Sequence, residues 1–440
     1  MQLSGRRLVL LTTAITALLR PISPAGAETL VQAMELALSS NPVLAAQREQ
    51  LAAVGEDVEI ARAGFFPRVT LSASATRGSL PDTSLVNPAA ASSLGLNQAS
   101  SGYNVTLQQP LFDGFRSLSG LEESRESLAA ARSDLAALRQ KLMLETVTEY
   151  VAVVVDRATV AVRGQEMKSL NADLALTNIL VERGQATRTD SDQIFARSAV
   201  ASAAVAEAQS NLAAAQAQFE QIVGDEPGSL SPPKPPDAAL PNALAQVISI
   251  VLQSNPALIA THYRELAAKH DIDRVRADLF PQVSLDASYG RTYSNPAETT
   301  DSGDAQLTVQ VSLPISLGGE TIARLRQANF TWRQRKQDSA AKRAEIVAQA
   351  RSHWSATLGL REQARLSQIA AAASERAWRG IRKQRQAGEK TALDLINAEE
   401  EMVEAKLKAV RSKNDLVVAA YSLLADLGSL SPGTDTPTDH

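Results

Sequence analysis

One design is written twice in this chain, and the two copies stay in step over nearly its whole length. Ser40-Asn41-Pro42 returns as Ser254-Asn255-Pro256, and the 13 residues from Arg62 to Ser74 return at Arg276 to Ser288 with 8 identities, both at an offset of 214. From Pro110 onward the offset is 204: Pro110 matches Pro314, Gly184-x-x-Thr187-x-x-Asp190 matches Gly388-x-x-Thr391-x-x-Asp394, and Gly224 matches Gly428. The length difference is confined between Ser74 and Pro110, where an exposed loop would absorb it. The chain therefore has to fold as two similar units.

Proline placement divides each unit. None occurs from Leu111 to Glu226 or from Ile315 to Ser431, while Pro227, Pro232, Pro233, Pro235, Pro236 and Pro241 cluster between the halves. The proline-free runs are rich in strong helix formers and read as long helical hairpins. Leu121, Leu128, Leu135 and Leu142 recur every seven residues with alanines between them, as in closely packed coiled coils. The equivalent positions Leu325, Trp332, Ser339 and Ile346 make a weaker seam. A helix from about Arg116 to about Arg183 would be roughly 100 Å long. Gly184 and Gly388 are expected to end the long helices in the left-handed conformation. The expected organisation is a first repeat over 28–226, a semi-rigid proline-rich linker over 227–241, a second repeat over 242–428 and a flexible tail over 429–440.

Between the helical parts the period changes to two. Val69, Leu71 and Ala73 alternate with Thr70, Ser72 and Ser74; Val283, Leu285, Ala287 and Tyr289 alternate with Ser284, Asp286 and Ser288. Partners follow around Tyr103 to Gln108 and Leu307 to Leu313, so strands are expected at 67–77, 102–112, 281–292 and 304–314. At about 9 to 11 residues each has the length of a tilted membrane strand. Polar loops join them, near Gly78 to Gly102 and Thr292 to Gly303. Four strands cannot close a barrel, and lipid does not tolerate open edges, so several chains must share one. A soluble sandwich with half-polar strands is the alternative.

The N-terminus gives the compartment. Arg6-Arg7, the largely apolar run Leu8 to Leu19 and Ala25-Gly26-Ala27 have the order of a secretory signal peptide over residues 1–27, with a membrane anchor as the competing reading. Without Arg6, Arg7 and Arg20, 41 Lys and Arg face 48 Asp and Glu, a balance unsuited to nucleic acid. The chain has no cysteine, so it has neither a disulfide nor a lipid attachment site. No later segment has the uninterrupted apolar length of a transmembrane helix.

These residues together resemble the TolC family of outer-membrane efflux and secretion proteins. The resemblance rests on the Asn-Pro breaks at 41–42 and 255–256, the Phe-Pro-x-Val-x-Leu entries at 66–71 and 280–285, and Gln109 to Gly114 with Leu313 to Gly319. The two Gly-x-x-Thr-x-x-Asp segments complete it. It implies a mixed α and β homotrimer: a twelve-stranded β-barrel in the outer membrane, four strands from each chain, continued by a long α-helical barrel in the periplasm. It also implies a passive exit duct working with a periplasmic adaptor protein and an inner-membrane ABC or proton-driven transporter. By the same resemblance, Asp394 maps onto an acidic ring at the periplasmic constriction. Asn397 stands where relatives with a second ring have Asp, so the chain departs there from the double-ring pattern. Gly184, Thr187 and Asp190, with Gly388, Lys390 and Thr391, map onto the tip and adaptor-facing turns.

The residues also carry a plainer reading. Thr187-x-x-Asp190 and Thr391-x-x-Asp394 have capping-box spacing, so one side chain at Asp394 is claimed both by its own helix and by the lumen. Asn41 and Asn255 read as helix caps before Pro. Arg385 and Lys390 could hold the tip shut by salt bridges, although solvation is the usual state of such bases. Trp332, Trp354 and Trp378 read as packing residues. His262 and His270 lack the pattern of a metal site, and His353 and His440 look isolated. No nucleophile, cofactor loop or metal cluster emerges, which turns the reading away from an enzyme. A non-conducting structural or adhesive stalk is the second functional expectation.

Overall fold

The computed structural model describes residues 29–79, 97–295, 302–315 and 318–433. The expected signal peptide, most of the first strand loop, part of the second and His440 lie outside them. Each repeat consists of two short helices, two strands and a long helical hairpin. The first has α1 (Leu30–Ser40), α2 (Pro42–Ala63), β1 (Arg68–Ser79), β2 (Asn97–Phe112), α3 (Arg116–Glu182) and α4 (Arg188–Val223). The second has α5 (Leu244–Ser254), α6 (Pro256–Arg276), β3 (Gln282–Asn295), β4 (Ser302–Ser312), α7 (Glu320–Gln386) and α8 (Ala392–Asp426). α3 and α7 have 67 residues each, about 100 Å of helix. Among the described residues, no single helix is long and apolar enough to cross a bilayer.

The strands form one antiparallel sheet in the order β1-β2-β3-β4, leaving β1 and β4 as open edges. Its register sorts the two faces. Val69, Leu107, Ala287 and Leu307 form one cross-strand row and Thr70, Thr106, Ser288 and Gln306 the next. On the apolar face Val69, Leu71, Leu307, Val309 and Val311 are all more than 60 % exposed. A soluble sandwich would cover that face with a second sheet. The strands have 12, 16, 14 and 11 residues: β1, β2 and β3 are longer than the alternation suggests, and β4 has the expected length but starts two residues earlier. Ladder pairing uses backbone groups, so it continues through polar residues such as Asn97 to Ser101, ahead of the expected start at 102. Near Pro110, which has no N–H to give, the register slips by a bulge before Phe112 pairs with Val283.

The main core lies where α1, α3, α4, α5, α7 and α8 meet, around Met34, Val147, Tyr150, Phe219, Val251 and Tyr421. The duplicated Ser-Asn-Pro block clamps the edge of this collar. Asn41 Oδ1 accepts from Val43 N at 2.9 Å while its Nδ2 donates to Ile222 O, and Ser40 Oγ donates to Val223 O at 2.7 Å. In the second copy Asn255 Nδ2 donates to Asp426 O at 2.9 Å and Ser254 Oγ to Leu427 O at 2.7 Å. Each asparagine therefore caps its own helix and also satisfies a carbonyl where the return helix ends. The matching Gly428 has φ +68°, and a Cβ there would meet Ser254 O at 2.7 Å. That contact explains why a glycine is repeated 204 residues after Gly224.

Two expected segments behave differently. The proline-rich stretch is packed down: Arg157 donates to the carbonyls of Pro227 and Gly228, the Tyr150 hydroxyl to Ser231 O at 2.7 Å, and Asp237 pairs with Arg361 at 2.6 Å. Proline carbonyls keep their acceptor capacity, so polar side chains of α3 can hold an extended strap. The tail does not become free at 429. Leu430 is 2 % exposed, and its N–H and carbonyl are both bonded to the Gln140 side-chain amide at 3.1 Å. One buried leucine is enough to anchor the first residues after α8.

Candidate functional site at the hairpin tips

Both hairpins turn by the same local chemistry. After α3, Gly184 N donates to Val181 O and Gln185 N to Leu180 O; after α7, Gly388 N donates to Arg385 O and Glu389 N to Gln384 O. These are paired Schellman closures, with the glycines at φ +68° and +82°. Three residues beyond each glycine a threonine starts the return helix. Thr187 Oγ1 accepts from Asp190 N at 3.2 Å, and Asp190 Oδ2 accepts from Thr187 N at 2.9 Å and from its hydroxyl at 2.7 Å. Thr391 and Asp394 repeat the box at 3.2, 3.0 and 2.9 Å.

The caps set the charge of both aspartates. Bonds from the threonine N–H and then the hydroxyl hold each carboxyl below the usual range, helped by Arg385 at Asp190 and by Lys390 at Asp394. Every cap bond that either carboxylate accepts goes to Oδ2. Capping and projection of a charge therefore do not exclude each other at Asp394. Asn397 is exposed one turn further along the same helix face.

Arg385 departs from the solvated state expected of it. Its guanidinium pairs with Asp173 Oδ1 at 3.3 Å and lies 3.4 Å from Thr177 Oγ1, with the side chains of the pair 15 % and 21 % exposed. It joins α7 to α3 just behind both turns, because the long side chain reaches across the groove between hairpins. Two further bridges join the hairpins: Arg163 to Glu404 at 2.5 Å and Arg197 to Glu400 at 3.1 Å. Small apolar clusters lie among them, one of Leu170, Ile194, Ala201 and Ile396, the other of Met402, Val403 and Leu407.

Two functional-looking groups escaped the sequence reading. Glu399 is 3 % exposed in this seam, and burial pushes its carboxyl above the usual range. The available signal was its spacing: it falls between Leu395 and Ile396 and between Met402 and Val403, on the face that should be apolar. His353 is not isolated, since its Nδ1 lies 2.6 Å from Asp426 Oδ2 and the hydrogen bond raises its pKa. Helix pairing brings together residues 73 apart that no local spacing links. Trp354 packs on the collar, Trp378 lies beside Met402 to Leu407 under Arg382, and Lys336 approaches the Trp332 ring at 5.6 Å. Among the described residues, no group of three or more His, Asp or Glu is placed to hold a metal.

The family model for outer membrane efflux protein matches residues 33–225 and 247–429, the two repeats in turn. The chain is 28 % identical over 409 residues to outer membrane efflux protein BepC of Brucella suis, covering 92 % of this chain and 86 % of that protein. It is 26 % identical over 402 residues to alkaline protease secretion protein AprF of Pseudomonas aeruginosa, covering 89 % and 82 %. The open state of the MtrE outer membrane channel of Neisseria gonorrhoeae superposes with a TM-score of 0.77 at 20 % identity, over 92 % of this chain and 91 % of that one. CusC superposes at 0.80 with 17 % identity, over 91 % and 92 %.

Proposed function

The chain belongs to the outer membrane efflux protein family, and on that premise we propose that it is the outer-membrane exit duct of a tripartite efflux or type I secretion system. The observation that carries the reading is the sheet: four strands of membrane length, an uncovered apolar face and two open edges, continuous with helices about 100 Å long. Three copies would join edge to edge into a twelve-stranded barrel whose apolar face meets lipid. The helical hairpins would then surround a periplasmic tunnel.

The tips are its closed end. Asp394 caps α8 through Oδ2 and presents its charge toward the axis, and three copies make an acidic ring; Asn397 adds a neutral polar ring one turn away. The first-hairpin turn, Gly184 to Asp190, faces outward with Lys390 and Thr391 nearby, where the helical hairpin of a periplasmic adaptor engages. The energy comes from an inner-membrane transporter, of the ABC or the proton-driven kind, and the cargo is small molecules or unfolded polypeptide. Planar-bilayer recordings of the purified trimer test the reading. Wild type should pass current with cation selectivity and be blocked by multivalent cations, and Asp394→Asn should weaken both effects. Unchanged selectivity rejects the acidic ring, and silence even after the tip is loosened returns the chain to the stalk reading.

A further inference from the structure

The most conspicuous unused group in the molecule is the Glu399 carboxyl. Its Oε2 has no hydrogen-bond partner among the described residues, and neither has the indole Nε1 of Trp378. Both side chains border a cavity of about 580 Å³ lined by α3, α7 and α8 and open to solvent past Gln165 and Lys168, roomy enough for several waters. Glu399 also borders a smaller cavity of about 200 Å³ on the side of α4. An ionised carboxylate with an unsatisfied oxygen at this depth is strongly disfavoured.

Most of the charges around it are engaged elsewhere. From α3, Arg163 is shared by Glu166 at 3.0 Å and Glu404 at 2.5 Å, Asp173 is held by Arg385, and Lys168 is exposed. From α4, Arg197 pairs with Glu400 at 3.1 Å. From α7, Arg382 lies over the Trp378 ring and Glu375 pairs with Lys406 of α8 at 3.5 Å. The acids Glu166 and Asp173 oppose a further negative charge, while Ser169, through a hydrogen bond, and Arg382 favour it less strongly than burial disfavours it.

We propose that Glu399 is a proton-binding site that couples pH to the seam between the two hairpins: the neutral acid fits the closed seam, and its ionisation draws water from the open cavity to the buried Oε2 and parts α8 from α3 behind the tip. Proton release needs no partner beyond solvent. Because burial raises the folded-state value, the closed seam has its full stability below the ordinary glutamic acid range and loses it as pH rises through the raised value. The caps respond in the opposite sense. Asp190 and Asp394, held low, weaken only as pH falls beneath the usual carboxylate range. His353 shares the sign of Glu399 but sits beside the collar at the other end of α8.

The inference rests on the tips being the closed end of a duct, so its first readout is hydration of the seam rather than conduction. The chain has three tryptophans, and replacing Trp332 and Trp354 by Phe leaves Trp378 as a reporter in the cavity wall. In the detergent-solubilised trimer, Trp378 emission should move to the red as pH is raised from about 5 to about 8, around a midpoint above the ordinary glutamic acid value. Glu399→Gln should abolish that shift and keep the emission blue throughout. Ser169→Ala, which removes a bond favouring the charged form, should move the midpoint higher. A parent without the shift, or one that persists unchanged in Glu399→Gln, overturns the proposal. If Glu399→Gln does not assemble, an unmoved midpoint in Ser169→Ala overturns it equally. Trimers that show the titration but pass no current refute the duct and leave the proton site standing, whereas conducting trimers without the titration refute the proton site alone.

Discussion

Where the long helices cross the short ones, Tyr150, Phe219 and Tyr421 are completely buried in one continuous core. Further along the same helices, toward Gly184 and Gly388, apolar contact shrinks to two small clusters, and the hairpins are joined by Arg163, Arg197 and Arg385 to acids opposite. The collar is held by burial, which is lost only by unpacking the whole cluster. The tip is held by ion pairs and one buried acid, contacts that are individually weak and respond to charge. A helix pair anchored firmly at one end and lightly at the other can splay at the light end without unfolding.

The largest effect that would break this comparison belongs in the collar. Phe219→Ala should remove about 3–5 kcal/mol, because the neighbouring Tyr150 and Val223 are fixed by helices that cannot close the gap. Urea unfolding of the trimer measures it. A loss no larger than that from a tip substitution would mean the collar is not the anchor. The intermediate effect belongs at the tip. Arg385→Gln breaks the bridge to Asp173 and should cost only about 1 kcal/mol of stability, since the pair is incompletely buried. It should nevertheless raise the conductance of the trimer in planar bilayers. A melt as damaged as that of Phe219→Ala, or an unchanged conductance, would show that the tip is not the releasable end.

The same division decides what could be read in the sequence. The turns at Gly184 and Gly388 and the boxes Thr187 with Asp190 and Thr391 with Asp394 are closed by residues within five positions of each other, so their spacing sufficed. The strands were legible from alternation, though their ends were not, because pairing ran on through Asn97 to Ser101 without an apolar signal. The contacts joining one hairpin to the other were hidden. Arg385 meets Asp173 across 212 residues and Arg163 meets Glu404 across 241. Which base faces which acid depends on the relative rotation of long helices, and a seam containing Ser339 in place of a leucine does not fix it. The family resemblance supplied Asp394 and Asn397 but nothing about Glu399.

The smallest effect sharpens the comparison, because it puts a charge-sensitive contact at the collar itself. His353 Nδ1 lies 2.6 Å from Asp426 Oδ2, and Asp426 also lends its backbone carbonyl to the Asn255 clamp. The bond favours the imidazolium, so the histidine titrates above its ordinary value. Its contribution is therefore complete below the unfolded-state value of about 6.5 and is lost as pH rises through the raised folded value. Partial exposure and screening keep it below about 1 kcal/mol. His353→Gln should remove that small pH-dependent component from the unfolding midpoint without moving the Trp378 titration at the seam. If His353→Gln shifted the seam instead, collar and tip would be one mechanical unit, and the contrast between an anchored end and a releasable one would fail.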